Sequence, residues 1–509
     1  MSDVLCVMPK MPGQAGQYPQ LTPPLGLASI AAVLEEKGIS VTILDLQIDD
    51  NLLDVFNKER PKLVCISGST ETRFECFDIA RLCKEKDERV IVAYGGPHAT
   101  FTAEDTLKAV DHIDIVGRGE GEYTVLELAR TILDGHVGKI GNIEGISYRS
   151  KGGEIVHNPR RERIRDLDNL PLPARHLLRM DKYNTIMEII GIPGESVVTS
   201  RGCPIGCSFC SASRLWGRWY TMRSPSNVMD EIELLIDNYG VRGIKFFDST
   251  LTLSRKHIEG LCDAMLDRGL DIVWECEVRA DTADKDLFAK MKKAGCYLID
   301  IGIESGNPSV LKRINKKITV EQALQAVDWA KECGLQTKVF LTWGHPGETV
   351  KEASDTIKMM KKLRDRVDVL YTPKPIKIYP GTAVEQFARE HGFLEEGFSW
   401  SGKYHCEQNL SLSVTPHVPL LIQPGFGYDE ITKLEEQIPL QVYPYKISLG
   451  YVWCLLVKIR SKDQAIKFVV KSIRKTYWLL IWGFGVLKKW VSAFLRKRIQ
   501  FGKIRREPK

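Results

Sequence analysis

What this 509-residue chain lacks narrows what it does. It has no low-complexity tract, and 43% hydrophobic with 27% charged residues is an ordinary globular balance, which excludes an extended disordered polymer. The apolar run at 477–487 covers 11 residues, whereas a bilayer-crossing helix takes about 20. The opening "MSDVLCVMPKMPG" shows no basic region followed by an apolar stretch and a cleavage site, so the expected location is cytoplasmic. In that compartment thirteen cysteines read as reduced thiols or metal ligands, not as a disulfide framework. Most of them, such as Cys65, Cys262 and Cys333, fall in apolar periodic segments and read as small core residues.

What is present points to two large domains and an appendage, because the chain is longer than one core organises. The first 150 residues alternate β-branched runs with helical patterns. "VLCVMP", "VTILDL", "LVCIS", "RVIVAYGG" and "IDIVGRG" read as buried parallel strands, and "LGLASIAAVLEEKG" as a helix capped by Gly38. The alternation predicts an α/β fold, a doubly wound Rossmann-like domain over residues 1–140. Its strand ends carry Ser67-Gly68, Gly95-Gly96 and Gly117, Gly119, Glu120 and Gly121, three turns on one edge where a ligand approaches backbone closely. Residues 141–194 read as a linker with a small hairpin around Gly152-Gly153. A second alternation runs over 195–397, with polar or glycine clusters at strand C-termini, as in a full or partial TIM-like barrel. Beyond it, 398–509 read as a cap or loop over the barrel mouth followed by a basic helical tail.

The sharpest feature is "SRGCPIGCSFC", which sets Cys203, Cys207 and Cys210 at C-x3-C-x2-C spacing. Composition alone yields that spacing on the order of 0.01 times per chain, so coincidence is a poor account. A structural zinc site needs four protein ligands and catalytic ones usually include His or carboxylate, yet the loop has no fourth Cys or His. Three thiolates suit a [4Fe-4S] cluster with one iron left open as a reaction site.

This loop resembles that of the radical S-adenosylmethionine (radical SAM) superfamily, where C-x3-C-x-aromatic-C follows the first barrel strand. The resemblance implies that S-adenosylmethionine chelates the open iron. One electron then splits its sulfonium to a 5′-deoxyadenosyl radical, with Phe209 against the adenine. It extends through "GIKFFDST", "CEVRAD", "LIDIGIESG", "FLTWGHPGET" and "IKIYPGT". It thereby implies a partial (β/α)6 barrel with Asp248 and Ser249 meeting the methionyl amine, Arg279 its carboxylate, and Glu304 and Ser305 the ribose or methionyl group. "TPPLGLASIAAVLEEKG", "YGGPHAT", "GRGEGEYTVLEL" and "LDNLPLPARHLL" resemble the cobalamin-binding domain and linker of one large class of this superfamily. That implies cobalamin at the glycine-rich edge. Methionine-synthase-type domains carry D-x-H-x-x-G where this chain has "PKMPGQAG", so no axial histidine comes from that position.

The lead expectation is therefore methylation of an unactivated carbon. The alternatives are oxidative cyclisation or rearrangement without methyl transfer and, in another class, a non-catalytic iron–sulfur or corrinoid-binding module. Three-ligand geometry and the full set of barrel strand ends weigh against the last. An electron donor such as flavodoxin or ferredoxin is implied, and His345, Tyr379 and Tyr404 are candidates to act on the small-molecule or lipid-like substrate. The net charge of +6 conceals an asymmetry: residues 451–509 carry 16 Lys or Arg against 2 Asp or Glu, so the remainder is acidic. With Trp453, Trp478, Trp482 and Trp490 interleaved, the tail suits either an anionic membrane interface or packing on the barrel. No RNA-binding signature accompanies it.

Overall fold

The computed structural model describes residues 1–12, 21–183, 187, 191–403 and 417–442. The tail and Tyr404 lie outside the described residues. Among those described, no helix is long and apolar enough to cross a membrane.

The first sheet is built from β1 (Val4–Met8), β2 (Val41–Asp45), β3 (Leu63–Ser67), β4 (Ile91–Gly95), β5 (Ile115–Gly117), β6 (Ile146–Arg149) and β7 (Ile155–His157), in the order β2-β1-β3-β4-β5-β6-β7. β1 to β5 are parallel. Their near-continuous apolar sequences are explained by helices on both faces, which enclose two separate cores. One face is covered in part by α1 (Leu25–Glu36), whose Leu27, Ala28, Ala31 and Leu34 are buried. Gly38, at φ +76°, stops α1 by donating its N–H to Glu35 O at 2.9 Å, as expected. The strand order reverses between β1 and β3, which places a ligand crevice at the C-terminal edge.

The hairpin expected within the linker forms, but it belongs to this sheet. β6 pairs antiparallel with β5 and β7 with β6. The pairing covers the N–H and C=O row that β5 would otherwise expose. The rest of the linker is pinned. Arg175, fully buried, donates to Ser196 O at 2.7 Å and pairs with Glu231 at 2.6 Å.

The second sheet contains β8 (Gly194–Val197), β11 (Gly243–Phe246), β12 (Val273–Val278), β13 (Cys296–Glu304), β14 (Gln336–Trp343) and β15 (Val369–Leu370); the short pair β9 (Ser200–Arg201) and β10 (Thr221–Met222) lies apart. The order β15-β14-β13-β12-β11-β8 is all parallel, and among the described residues β8 and β15 do not pair, so the barrel is partial. Five of its loops end on Ser224, Ser254, Asp284, Thr319 and Thr349, each accepting a backbone N–H from the first turn of the next helix. Such a cap is worth about 1 kcal/mol. The sixth strand, expected as one run, is split into β15 and β16 (Lys374–Pro375), both against β14. Pro373 and Pro375 supply no N–H to a continuous ladder.

The cap is more regular than the expected loop. Residues Tyr428–Gln441 form a helix that packs on helix Val350–Leu363 with Ile431, Leu434 and Ile438 buried. Arg73 ties this region to the first domain without any carboxylate. Its guanidinium is fully buried and donates to the carbonyls of Thr70, Trp400 and His417 at 2.6 to 2.7 Å. Burial holds its pKa down at about 10, so it stays charged at neutral pH. Phe101 of the first domain packs so closely on Gly381 that a Cβ there would meet the ring at 2.2 Å.

Candidate functional site

The three cysteines follow the first barrel strands in a loop shaped by two glycines. Gly202 adopts φ +96° and passes so close to the Trp219 carbonyl that a Cβ would meet its oxygen at 2.2 Å. Gly206 adopts φ +76°. Asn315 holds the turn by donating its side-chain amide to Ile205 O and Gly206 O, both at 2.9 Å. Cys203, Cys207 and Cys210 are half-buried and line one cavity of about 280 Å3 with Phe209, Ser249, Arg279 and Glu304. Burial pushes the Cys207 thiol up to about 11 and raises Cys210 as well, so thiolates there require a cationic partner.

Among the described residues no three His, Cys, Asp or Glu side chains converge on a point suited to one metal ion. Three sulfurs around a shared cavity, with no fourth cysteine and no histidine among its lining residues, instead fit a polynuclear cluster with an open corner.

The other expected cosubstrate contacts divide. Arg279 reaches the cavity but is held by Asp281 at 2.9 and 3.0 Å and by Lys316 O at 2.7 Å. Glu304 sits at a bulge with φ +72°, a conformation rare for a side chain of this size, and pairs with Lys316 Nζ at 2.9 Å. A Cβ on Gly302 would meet that carboxylate at 2.7 Å and the ammonium at 3.0 Å, so glycine leaves the pair its room. Ser249 is exposed to the cavity. Asp248 and Ser305 are not among the residues lining it. Asp248 is buried beneath the cysteine loop, accepting from Thr199 N and Thr199 Oγ1 at 3.2 and 2.9 Å and from Ser200 Oγ. Burial lifts its pKa to about 6 despite those bonds. Ser305 is fully buried and accepts from Asn307 N at 3.2 Å. Both brace loops around the cavity.

His345 is likewise fully buried. Its Nε2 lies 2.9 Å from Thr342 Oγ1, which donates to Glu304 Oε2 at 3.2 Å, and burial pushes its pKa down to about 3. It supports Glu304 from behind. Tyr379 donates to Glu71 Oε1 at 2.7 Å in a second cavity of about 410 Å3, where Ser69, Thr70 and Pro97 of the first domain face Phe209 and Cys210 of the cysteine loop.

The glycine-rich edge forms a third cavity of about 250 Å3, with Gly95, Gly96, Gly117, Gly119, Glu120 and Gly121 in its wall beside Ser67. A Cβ at Gly95 or Gly119 would meet nothing within 4 Å, so those glycines leave open space toward the cavity. Leu27, Ile30, Val125 and Leu128 continue it as an apolar slot. Glycine-edged backbone over an apolar slot is a lining that fits a cobalamin. Gly68 is not among the lining residues. A Cβ on Gly68 would meet Cys76 Sγ at 2.4 Å, and a Cβ on Gly96 would meet the Gly68 carbonyl oxygen at 2.6 Å. Glu120 is engaged elsewhere: its carboxylate accepts from Ile164 N and pairs with Arg201 Nη1, both at 2.6 Å. Arg201 also pairs with Glu122. One guanidinium, two residues before Cys203, thus clamps the glycine-rich edge to the barrel.

Sequence reasoning passed over Arg201, Lys316, Glu277 and Asp300. The last two were legible, because "WECEVR" and "IDIGIE" place Glu275, Glu277 and Arg279, and Asp300, Gly302 and Glu304, at the period of two that marks one strand face. Lys316 follows a short helix and carries no local signal.

A doubly wound domain with a glycine-edged slot, followed by a partial barrel with three clustered thiols, is the architecture of a cobalamin-binding radical SAM enzyme. Residues 197–360 match the Radical SAM superfamily and residues 15–129 the B12 binding domain. An uncharacterized methyltransferase of Pyrococcus horikoshii is 36% identical over 377 residues, covering 73% of this chain and 80% of that protein. An anaerobic magnesium-protoporphyrin IX monomethyl ester cyclase of Rubrivivax gelatinosus is 29% identical, covering 69% and 65%. The radical S-adenosylmethionine methyltransferase TsrM of Kitasatospora setae, solved with cobalamin and a [4Fe-4S] cluster, shares the fold at a TM-score of 0.64 and 21% identity, covering 77% and 79%. The chain belongs to the cobalamin-binding-domain-containing radical SAM family, whose cofactors are a [4Fe-4S] cluster, S-adenosylmethionine and cobalamin.

Proposed function

We propose that the protein methylates an unactivated carbon, with Cys203, Cys207 and Cys210 holding the cluster and the glycine-rich edge holding cobalamin. When bound, the cluster supplies the electron that cleaves S-adenosylmethionine and the corrinoid carries the methyl group. The observation that carries the reading is the cavity of about 410 Å3 in which Ser69 to Glu71 of the first domain meet Phe209 and Cys210 of the barrel. A substrate there lies between the two cofactor sites. Phe101, Pro97 and Pro380 give that space apolar walls, and the Tyr379–Glu71 pair gives it one polar end. In the barrel cavity Glu304, braced by Lys316 and Thr342, and Arg279 orient the cosubstrate's polar groups.

The test needs no substrate. Protein reconstituted anaerobically with iron, sulfide and hydroxocobalamin is reduced and given methyl-labelled S-adenosylmethionine. Label on the corrinoid, together with 5′-deoxyadenosine, is expected. 5′-Deoxyadenosine without methylated corrinoid favours the second reading, oxidative cyclisation without methyl transfer, to which the cyclase relative points. The wider reading adds a flavodoxin or ferredoxin as electron donor and a lipid-like substrate met at the inner membrane face by the basic tail.

A further inference from the structure

Four ion pairs line the inner wall of the barrel. Lys245 Nζ lies 3.0 Å from Glu275, Lys338 Nζ 3.0 Å from Asp300, Lys316 Nζ 2.9 Å from Glu304, and Arg279 Nε 2.9 Å from Asp281. Each pair cancels its own charge, so this crowded wall is close to neutral.

Glu277 is the carboxylate left over. It lies between Glu275 and Arg279 on the inward face of β12, in register with Asp300, and it lines the same cavity as the three cysteines. Among the described residues nothing hydrogen-bonds or ion-pairs with it. It is deep in the barrel yet open to the cavity, so water reaches it. Phe340 lines the same cavity two strands away; its ring stacks on Tyr371 at 5.6 Å and lies 5.5 Å from Lys338 Nζ. A carboxylate with no bonded partner, facing Asp300 and Glu304 as well as Lys245 and Lys316, is the open acceptor of this wall for a positive group that docks in the cavity.

We propose that Glu277 is a binding site for an organic cation, a positive sulfur or nitrogen flanked by carbon. The sulfonium of S-adenosylmethionine and an ammonium on the molecule being modified share that chemistry. The inference rests on the reading that S-adenosylmethionine is cleaved in this cavity.

Glu277→Gln removes the charge and keeps the shape, and Glu277→Asp keeps the charge. Both are compared with wild type as cluster-loaded protein, with cluster absorbance as the folding check. One arm measures affinity for S-adenosylmethionine against S-adenosylhomocysteine, which lacks the positive charge on sulfur. The other measures benzylammonium against benzyl alcohol with S-adenosylmethionine present. Glu277→Gln is expected to shrink the preference for the cation about tenfold in one arm, and Glu277→Asp to restore part of it. The arm that responds identifies the source. Unchanged preferences in both arms overturn the proposal. Wild type that forms no 5′-deoxyadenosine on reduction refutes instead the reading on which it rests.

Discussion

Replacing Arg201 with methionine tests how the two domains are joined. Among the described residues Arg201 is the sole cation bonded to Glu120 and Glu122, and the three side chains are 17%, 8% and 5% exposed. Burial works against the Arg201 charge, but the two carboxylates outweigh it and raise its pKa. Removing one partner of a buried pair costs about 3 to 5 kcal/mol, because the remaining charge is stranded. Here two carboxylates are stranded side by side, although Glu120 keeps its bond from Ile164 N. Arg201→Met should therefore cost about 3 kcal/mol or more in equilibrium urea unfolding of the reduced apoprotein. Changing the carboxylates with it, as Arg201→Met with Glu120→Gln and Glu122→Gln, should recover most of that loss, since no charge is then left behind. Because all three residues line the glycine-edged cavity, the single variant should also lose cobalamin on gel filtration more readily than the triple variant. A single variant within 1 kcal/mol of wild type, or a triple variant no better than the single one, would refute the clamp.

Gly96→Ala places a Cβ against the Gly68 carbonyl at φ +102°, so it should destabilise the first domain by about 1 to 3 kcal/mol while iron content stays at the wild-type level; urea unfolding and iron assay check both halves. Asp248, raised to about 6 in the folded protein, contributes stability that is present below about pH 4 and lost as pH rises through 6. Asp248→Asn should thus flatten that part of the melting temperature profile between pH 4 and pH 7, and a profile parallel to wild type contradicts it. Deleting residues 451–509 should release the protein from anionic liposomes with cluster absorbance intact; unchanged co-sedimentation removes the case for a membrane-bound tail.

Much of this was legible because the signals were periodic or cysteine-spaced. Nearly continuous apolar strands such as "VLCVM" and "LVCIS" can only be buried on both faces, and Ser, Thr or Asp stands before each of five barrel helices. Three thiols at C-x3-C-x2-C meet at one cavity as the spacing requires. Strand ends were harder. Asp248 and Ser249 are adjacent just beyond a strand end, yet one braces Thr199 while the other reaches the cavity. Glycines divide in a similar way, since Gly68 packs closely on Cys76 whereas Gly95 opens a space, and spacing does not distinguish the two. Arg201 was missed because its partners lie about 80 positions earlier in the chain.

The guanidinium of Arg73 has a bearing on biosynthesis. Two of its three acceptors, Trp400 and His417, lie 327 and 344 positions downstream. While the ribosome is still translating the barrel, the nascent first domain has its strands but not those carbonyls, and the cation stays hydrated at a surface that will later be sealed. The amino-terminal half thus waits, incompletely closed, for almost the last described stretch to emerge. Truncations ending before Trp400 should yield a first domain that hydrogen exchange finds open around Thr70 to Arg73.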